Sequence, residues 1–247
     1  HHCHHVIGSN MQATAPKGTM TCIIGRNGTG KSTLLRSIAR LQNRLGGDIL
    51  LNGHSIDSYA QDEFARLLSI VLTSRPDAQS MTVYELVALG RTPYTGFWGR
   101  LSDEDRKIVD HALYMVGMQN MSRRRVCSLS DGECQKVMIA KSLAQGTPII
   151  LLDEPTAFLD FHGKVELLTL LRRLAHNEGK TILLSTHDLE AALQAADRLW
   201  MLDKDGIHEG EPKLLVANGD VDRYIGQKGV SVDKDFRIKI SVSDNNY

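Results

Sequence analysis

Short apolar runs alternate with amphipathic segments along most of the chain. The runs lie at residues 19–24, 68–72, 148–152, 181–185 and 199–202. Strands that are apolar along most of their length are typical of a parallel sheet covered on both faces. Helical spacing of apolar residues occurs in the segments at about 33–38, 61–66, 83–90, 102–116 and 189–196. The alternation predicts an α/β fold with a mainly parallel sheet.

Weaker patterns predict the elements near the two ends. Alternating apolar residues at 11–15, before a Pro-Lys-Gly turn, predict a strand within residues 6–17. An Asn-Gly turn closes a short predicted strand at residues 48–53. Residues 213–247 predict one short helix and a strand at 236–240, which is too little for a separate folded domain.

A glycine-rich segment joins the first apolar run to the first helical segment. It consists of Gly25, Arg26, Asn27, Gly28, Thr29, Gly30, Lys31, Ser32 and Thr33. The pattern is that of a P-loop, in which tightly turning main-chain N–H groups and a helix N-terminus surround a polyphosphate. Lys31 would reach the terminal phosphates and Ser32 would bind Mg²⁺. The alternative, a glycine-rich turn that matches by chance, is disfavoured by the strand before it and the helix after it.

Polar residues capable of catalysis follow two of the apolar runs. Asp153 and Glu154 come directly after the run at 148–152, and His187 follows the run at 181–185. Parallel strands bring such residues to the carboxyl edge of the sheet, where α/β folds bind their ligands. The alternatives are a strand-end cap for the two acids and a structural role for the histidine.

A capping-box pattern marks the start of a further helix. Ser130 is followed three residues later by Glu133, the spacing at which each side chain bonds the main-chain N–H of the other residue. The plain alternative for this segment is a well-capped helix with no role in binding.

Composition narrows the classes of function. The 29 basic and 29 acidic residues cancel, which argues against a surface built mainly to neutralise nucleic-acid phosphates. No apolar run approaches the ~18 residues that cross a bilayer, so any membrane role is expected to go through a partner. Four cysteines without a CxxC pair suggest thiols of a reducing compartment. The histidine cluster at residues 1–5 is interpreted as a tag remnant rather than a metal site.

The motifs GRNGTGKST, SLSDGE, IILLDEPTAFLD and LLSTHD, in this order, resemble those of the nucleotide-binding subunits of ATP-binding cassette (ABC) transporters. The resemblance covers about residues 18–203. It implies an α/β P-loop NTPase (RecA-like) core with a mainly parallel sheet, a small antiparallel β part near the N-terminus and an inserted α-helical subdomain. The implied single cassette spans residues 6–247, with its core at about 6–80 and 147–210, the helical subdomain at about 81–146 and a C-terminal extension at about 211–247.

The same resemblance implies ATP as the nucleotide, Mg²⁺ as the metal and a role for each matching residue. The implied nucleotide ligands are Gly25 to Thr33 together with Ser130, Gly132 and Asp160; the implied metal ligands are Ser32, Asp153 and Thr73; the implied catalytic residues are Lys31, Glu154 and His187. In this family Glu154 would polarise the attacking water and His187 would contact the γ-phosphate. Ser130 and Gly132 would face the nucleotide of a second copy, so hydrolysis implies a head-to-tail homodimer, which Asp160 would bridge.

Three features depart from the family pattern. The signature segment of the family corresponds to Leu129 to Glu133 in this chain. Within it, Asp131 and Glu133 replace a glycine and a glutamine and add negative charge near a phosphate. Thr73 stands where the family has a glutamine, and its side chain reaches less far toward metal and water. An adenine-stacking aromatic residue is missing from residues 1–11, as expected if the chain is truncated. These departures leave a nucleotide-gated binding module with slow turnover as an alternative.

Residues 82–94 are similar to those of bacterial importers of iron chelates, haem and cobalamin. The implied function is the ATPase subunit of such an importer, with a transmembrane permease and, indirectly, a substrate-binding protein as partners. The subunit would lie in the cytoplasm, on the inner face of the bacterial membrane, and would bind no nucleic acid. The aromatic loop at 91–101 and the Thr73 region would receive the permease, or the loop would pack on its own subdomain. The alternative function is a soluble cassette ATPase acting on nucleic acid or ribosomes.

Overall fold

The computed structural model describes residues 11–74, 76–78, 80–96, 99–203, 205–227 and 229–240. Its strands are β1 (Met20–Ile24), β2 (Leu50–Leu51), β3 (His54–Ser55), β4 (Leu68–Val71), β5 (Ile149–Leu152), β6 (Thr181–Thr186), β7 (Arg198–Asp203), β8 (Gly206–Gly210), β9 (Val230–Val232) and β10 (Ile238–Ile240). Its helices are α1 (Lys31–Ile38), α2 (Gln61–Leu67), α3 (Val83–Ala88), α4 (Asp103–Met115), α5 (Asp131–Ala144), α6 (Phe161–His176), α7 (Leu189–Ala195), α8 (Pro212–Ala217) and α9 (Asp220–Ile225).

The apolar runs of the sequence form the central sheet, whose strand order is β4-β5-β6-β1-β7-β8. The strands from β4 to β7 pair in parallel, and β8 pairs antiparallel with β7. The predicted α/β fold with a mainly parallel sheet is therefore confirmed. Because the five strands run the same way, the residues that follow β5, β6 and β1 lie along one edge of the sheet.

Helices cover both faces of the sheet, and successive residues of β1 divide between the two cores. Met20, Cys22 and Ile24 pack into the larger core, while Ile23 packs into the smaller one, as the two-residue side-chain period of a strand requires. The larger core also contains apolar residues of α3 to α7, and the smaller one those of α1 and α2. Burial on both faces explains why these strands lack polar alternation.

The helices α3, α4 and α5 lie between β4 and β5 in the chain and pack against one another. A 3-10 turn at Leu89–Arg91 follows α3 and rests directly on α5. At Gly90 a Cβ atom would lie 2.3 Å from the main-chain oxygen of Lys141, so only glycine permits this approach. The contact ties the start of the loop at 91–96 to the end of α5.

Several predicted elements differ from the structure. Residues 11–16 form no strand; the apolar residues among them pack against the smaller core without a ladder partner, which explains the misleading alternation. Residues 6–10 of that predicted strand, like the histidine cluster, lie outside the described residues. The helix α6 and the strand β8 were not predicted. The C-terminal segment contains α8, α9 and the hairpin β9-β10, instead of one helix and one strand.

The Asn-Gly turn was predicted correctly. It joins β2 to β3 in an antiparallel hairpin, with φ +52° at Asn52 and +83° at Gly53. Two successive positive φ angles are typical of the type I′ turn that suits the twist of a hairpin. This hairpin is the small antiparallel part expected in the N-terminal region.

Candidate nucleotide-binding and catalytic site

The glycine-rich loop connects β1 to α1 with the geometry expected of a phosphate cradle. Gly30 caps α1 with φ +97°, a conformation that favours glycine. At Gly25 a Cβ atom would lie 2.5 Å from Thr29 Oγ1, so a side chain there would fill the loop. The first turn of α1 contains no acidic residue, which leaves the positive end of the helix dipole available to an anion.

Lys31 extends back across the loop. Its Nζ donates to the main-chain oxygens of Gly25 (2.7 Å) and Arg26 (3.4 Å) and lies 3.5 Å from Glu154 Oε1. The side chain is only 6% exposed, so these oxygens replace the water that a lysine normally requires. The ammonium is therefore fixed where the loop would enclose a phosphate.

Ser32 and Asp153 contact each other across the space between α1 and the end of β5. Ser32 Oγ donates to Asp153 Oδ1 at 2.8 Å, and the same oxygen accepts a hydrogen bond from Ser185 Oγ at 2.8 Å. Asp153 is almost fully buried. Hydroxyl and carboxylate oxygens are the hard ligands that Mg²⁺ prefers, with waters and phosphate oxygens completing its octahedron. The residues present fit a magnesium ion.

Glu154 lies between a buried cation and an exposed imidazole. Its Oε2 is 2.9 Å from His187 Nδ1, and its Oε1 faces Lys31. The Glu154 side chain is 17% exposed and the His187 side chain 58%. Glu154 has φ +48°, which is unusual for a residue with a Cβ atom. A carboxylate held in this way can orient a water molecule at the edge of the sheet.

Thr73, the predicted metal ligand at the family's glutamine position, contacts the main chain. Its Oγ1 donates to the main-chain oxygen of Asp153 at 2.7 Å. The structure thus places Thr73 beside the acidic pair, with its proton directed at a peptide group. A direct contact between Thr73 and Mg²⁺ remains a prediction.

Ser130 caps α5 as the sequence predicted. Ser130 Oγ accepts from the Glu133 N–H at 3.3 Å, and Glu133 Oε2 accepts from the Ser130 N–H at 2.8 Å. The bond from the Ser130 main chain lowers the pKa of the Glu133 carboxyl. Arg124 lies 3.6 Å from Glu133 and offsets part of its charge. Glu133, one of the two acidic residues of the signature segment, therefore has its hydrogen-bond and ion-pair partners at the start of its own helix.

Ser130 lies apart from the glycine-rich loop of the same chain. Across the described residues, no hydrogen bond or ion pair joins Ser130, Gly132 or Asp160 to residues 25–33. Asp160 caps α6 by accepting from the Gly163 N–H at 2.8 Å. The structure thus gathers Lys31, Ser32, Asp153, Glu154 and His187 beside the glycine-rich loop in one site, and it leaves Ser130, Gly132 and Asp160 outside that site.

The segment between Glu154 and Asp160 packs on the start of α5. A Cβ atom at Gly132 would lie 3.2 Å from Leu159 Cδ2, which is close for such a contact. A cleft of about 310 Å³ opens between the two, and Thr73, Gln135, Glu154 and other residues line it. The signature segment and Glu154 are therefore neighbours within one chain, although Ser130 does not reach the phosphate cradle.

Ser185 is a site residue that sequence reasoning missed. It is fully buried at the end of β6, accepts from the Glu154 N–H at 2.8 Å and donates to Asp153. The available signal was a single serine among apolar residues, two positions before His187. A strand-end serine is common enough that this signal alone does not indicate a role.

The parallel sheet, the glycine-rich loop ahead of α1 and the adjacent acids define a P-loop nucleoside triphosphatase. The sequence profile of the family described as ABC transporter matches residues 9–157. The chain belongs to the ABC transporter family.

Known members of the family resemble the chain over most of its length. It is 39% identical over 233 residues to the iron(3+)-hydroxamate import ATP-binding protein FhuC of Bacillus subtilis (strain 168), covering 94% of this chain and 86% of that protein. It is 36% identical over 230 residues to the ferric enterobactin transport ATP-binding protein FepC of Escherichia coli (strain K12), covering 93% and 85%. The dimeric structure of a bacterial ABC transporter cassette matches with a TM-score of 0.73 and 28% identity, over 83% of this chain and 90% of that one.

These relatives decide between the classes left open by the sequence. The chain is an ATP-binding and ATP-hydrolysing member of the family. Both named relatives are transport proteins, which gives no support to an ATPase acting on nucleic acid or ribosomes. Among the described residues, none of the helices has the length and apolar character needed to span a bilayer.

Proposed function

We propose that this chain powers a bacterial importer of iron–siderophore complexes by hydrolysing ATP on the cytoplasmic face of the membrane. The observation that carries the ATPase part is the chain of contacts from Lys31 through Glu154 to His187 at the carboxyl edge of the sheet. Support for the cargo comes from the two relatives, which are an iron(3+)-hydroxamate import ATP-binding protein and a ferric enterobactin transport ATP-binding protein. Haem and cobalamin are the alternative cargoes, and uptake experiments would compare them with ferric siderophores.

The residues of the site divide the work of phosphoryl transfer. The loop at 25–30 and the N-terminus of α1 bind the phosphates, and Lys31 neutralises the terminal ones. Ser32 and Asp153 would hold Mg²⁺, which supplies positive charge to the phosphate oxygens. Glu154 accepts a hydrogen bond from the attacking water and orients it. His187, with one ring nitrogen on Glu154, offers the other to the γ-phosphate.

The complete site contains two copies of the chain. Ser130 and Gly132 at the start of α5 would bind the nucleotide held by the partner's loop, because a helix N-terminus offers free N–H groups to phosphate. The separation of Ser130 from the loop within one chain supports this arrangement, as does the dimeric form of a similar cassette. Asp160, next to the exposed Phe161, would lie between the two copies.

A transmembrane permease is the proposed membrane partner, and a substrate-binding protein acts through it. The exposed side of the loop at 91–96, including Tyr94, is the proposed contact. Arg91 is not part of that surface, because it is buried between Asp105 and the main-chain oxygen of Ala144. Phe97 and Trp98, which the sequence also indicated, lie outside the described residues.

Replacement of Glu154 tests the catalytic assignment. We expect Glu154→Gln to bind ATP but to hydrolyse it at least about a hundredfold more slowly, since a positioned general base contributes that much or more. The steady-state rate of phosphate release measures the effect. Glu166→Gln, which alters an exposed carboxylate paired with Lys136, should keep the normal rate. A normal rate in Glu154→Gln would overturn the assignment.

Uptake experiments test the cargo. The chain would be co-expressed with the permease genes that neighbour its own, and uptake of iron-labelled hydroxamate, iron-labelled catecholate, haem and cobalamin would be measured in parallel. We expect ATP-dependent uptake of a ferric siderophore that stops with Glu154→Gln. Uptake of haem or cobalamin alone would refute the cargo but not the ATPase, whereas co-purification with RNA in place of a permease would refute transport.

A further inference from the structure

A half-buried and a fully buried hydroxyl group, those of Thr73 and Ser185, hold a single peptide group at the proposed catalytic centre. The carbonyl oxygen of Asp153 accepts from Thr73 Oγ1 at 2.7 Å, and the N–H of Glu154 donates to Ser185 Oγ at 2.8 Å. These two groups belong to the same trans peptide bond and point in opposite directions within its plane. Thr73 follows β4 and Ser185 lies near the end of β6, so the peptide is held from the two strands that flank β5.

The two hydroxyl groups provide hydrogen bonds just beyond the point where the main-chain hydrogen bonds of the sheet end. The N–H of Asp153 still donates to the main-chain oxygen of Val71 at 2.9 Å, one residue beyond the end of β5. The next peptide lies past the paired segment, and buried main-chain groups there require other partners. Thr73 and Ser185 supply those partners, one on each side. Hydrogen bonding to the neighbouring strands thereby continues as far as Glu154, the residue that carries the proposed catalytic carboxylate.

The peptide so held determines the backbone of Glu154. The φ angle of Glu154 describes rotation about its N–Cα bond relative to this peptide. Its value of +48° lies in the left-handed region that residues with a Cβ atom avoid. Such conformations persist only where the surroundings impose them. In this conformation the carboxylate contacts Lys31 with one oxygen and His187 with the other. A relaxed φ would rotate the side chain away from both.

We propose that Thr73 and Ser185 are positioning residues that together fix the Asp153–Glu154 peptide and so keep Glu154 in its strained, productive conformation. The inference rests on the catalytic role of Glu154 proposed above and adds a function for Thr73 that does not require contact with metal. Ser185 also donates to Asp153 Oδ1, so it connects the metal-side carboxylate to the peptide. Loss of Ser185 therefore has the larger effect.

Hydroxyl-specific replacements test the proposal. Thr73→Val keeps the shape of the side chain but removes the hydroxyl, and Thr73→Ser keeps the hydroxyl. We expect kcat for ATP to fall about tenfold in Thr73→Val and up to about a hundredfold in Ser185→Ala, the range seen when groups behind a site are removed. KM for ATP should change by less than about threefold, and Thr73→Ser should stay near the normal kcat.

A double variant and a matched control separate positioning from stability. Because both hydroxyls hold one peptide, the double variant Thr73→Val with Ser185→Ala should lose less than the product of the two single losses. Ser142→Ala removes another buried hydroxyl, bonded to Ser69 at the far end of β4, and should lower the midpoint of thermal unfolding without lowering kcat. Equal kcat losses in Thr73→Val and Thr73→Ser, or a loss in Ser185→Ala no larger than in Ser142→Ala, would overturn the proposal.

A structural readout is independent of activity. In a crystal structure of the double variant, we expect Glu154 to leave the left-handed region and to lose its contact with Lys31 or His187. Retention of the positive φ and of both contacts would overturn the proposal even if activity fell. If instead Glu154→Gln hydrolyses ATP normally while the double variant shows the expected backbone change, the proposed catalytic role fails and the positioning of the peptide stands.

Discussion

The hydroxyl of Ser32 has an orientation that suits the metal binding proposed for it. It directs the proton to Asp153 Oδ1, and a hydroxyl that donates in this way keeps its oxygen lone pairs for a cation. Asp153 Oδ1 in turn accepts two hydroxyl protons, from Ser32 and from Ser185. A carboxylate with fixed hydrogen bonds loses little freedom when it binds a metal. Single hydroxyls are therefore important in this site.

Loss of the Ser32 hydroxyl should weaken magnesium binding more than ATP binding. We expect Ser32→Ala to raise the Mg²⁺ concentration for half-maximal ATPase activity about tenfold or more, as losses in the shell around a metal do. A Mg²⁺ titration at saturating ATP measures this shift. Ser37→Ala, on the same helix, is the control and should leave the titration unchanged. An unaltered titration in Ser32→Ala would exclude Ser32 as a ligand.

Residue types predicted the main chemistry of the site but not its supporting contacts. Lys31, Asp153 and Glu154 were identifiable because each belongs to a motif with a fixed spacing from a glycine loop or a strand end. Ser185 was not identifiable, because its role depends on the position of β6 next to β5 in the sheet. Neither segment of sequence shows that these two strands are neighbours. Thr73 lies beside the acidic pair, but its main-chain contact could not be foreseen from a comparison with glutamine.

At the element scale, a buried ion pair between Arg91 and Asp105 connects the helical segments between β4 and β5. Arg91 Nε donates to Asp105 Oδ1 at 2.8 Å and its guanidinium also donates to the main-chain oxygen of Ala144 at 2.8 Å. Asp105 belongs to the capping box of α4 with Ser102. The pair therefore joins the turn after α3, the start of α4 and the end of α5.

Hydrogen bonds from Ser102, and then the one from Arg91, lower the pKa of Asp105 to about 2 from a usual value of 3.8. Because the folded pKa lies below the unfolded one, the ionised carboxylate stabilises the fold above about pH 4, and this contribution disappears as the pH falls toward 2. A difference of this size corresponds to about 2 kcal/mol. The side chain is 11% exposed, so solvent screens the pair only weakly.

We expect Asp105→Asn to lower the free energy of unfolding by about 2 kcal/mol at pH 7 and to flatten its decline between pH 4 and pH 2. Urea unfolding at several pH values measures both effects. Asp103→Asn lies in the same helical turn, where its carboxylate is fully exposed, and should change the free energy little. Equal effects of the two replacements would show that the buried pair does not stabilise the insertion.

Burial on both faces made the strands predictable, whereas packing against a neighbour misled the prediction elsewhere. The apolar runs of β4 to β7 are short and mostly uninterrupted, which is typical of a sheet covered on both faces. Alternation at 11–15 arises because those residues rest on the smaller core, although no strand pairs with them. The helix α6 was missed even though Leu167, Leu171 and Leu174 have helical spacing and are buried.

At the scale of the whole molecule, one chain presents the two halves of the proposed site on two separate surfaces. Phe161 is 75% exposed beside Asp160, and Phe158 lines the cleft next to Glu154. Exposed apolar residues that cluster on a monomer mark interaction surfaces, whereas single ones are common. If two copies assemble through this surface, activity depends on protein concentration, because a monomer contains no complete site.

We expect the ATPase rate per chain to rise with protein concentration and then to level off as the dimer saturates. Phe161→Asp should shift this curve to higher concentration about tenfold or more, because it places a charge in a desolvated contact. Tyr114→Asp alters another exposed aromatic residue, on α4, and should leave the curve in place. A rate per chain independent of concentration would contradict the two-copy site.

The helix α5 connects the proposed permease contact to the proposed phosphate contact as a single rigid rod. Arg91 grips its last residue through the oxygen of Ala144, while Ser130 caps its first turn. The 14 residues between them span about 21 Å at 1.5 Å per residue. Because Gly90 packs directly against the main-chain oxygen of Lys141 in α5, a displacement of the loop at 91–96 would be passed on to α5. If the loop at 91–96 contacts a permease and Ser130 contacts the partner's nucleotide, as proposed, α5 would couple movement at the membrane to binding of that nucleotide.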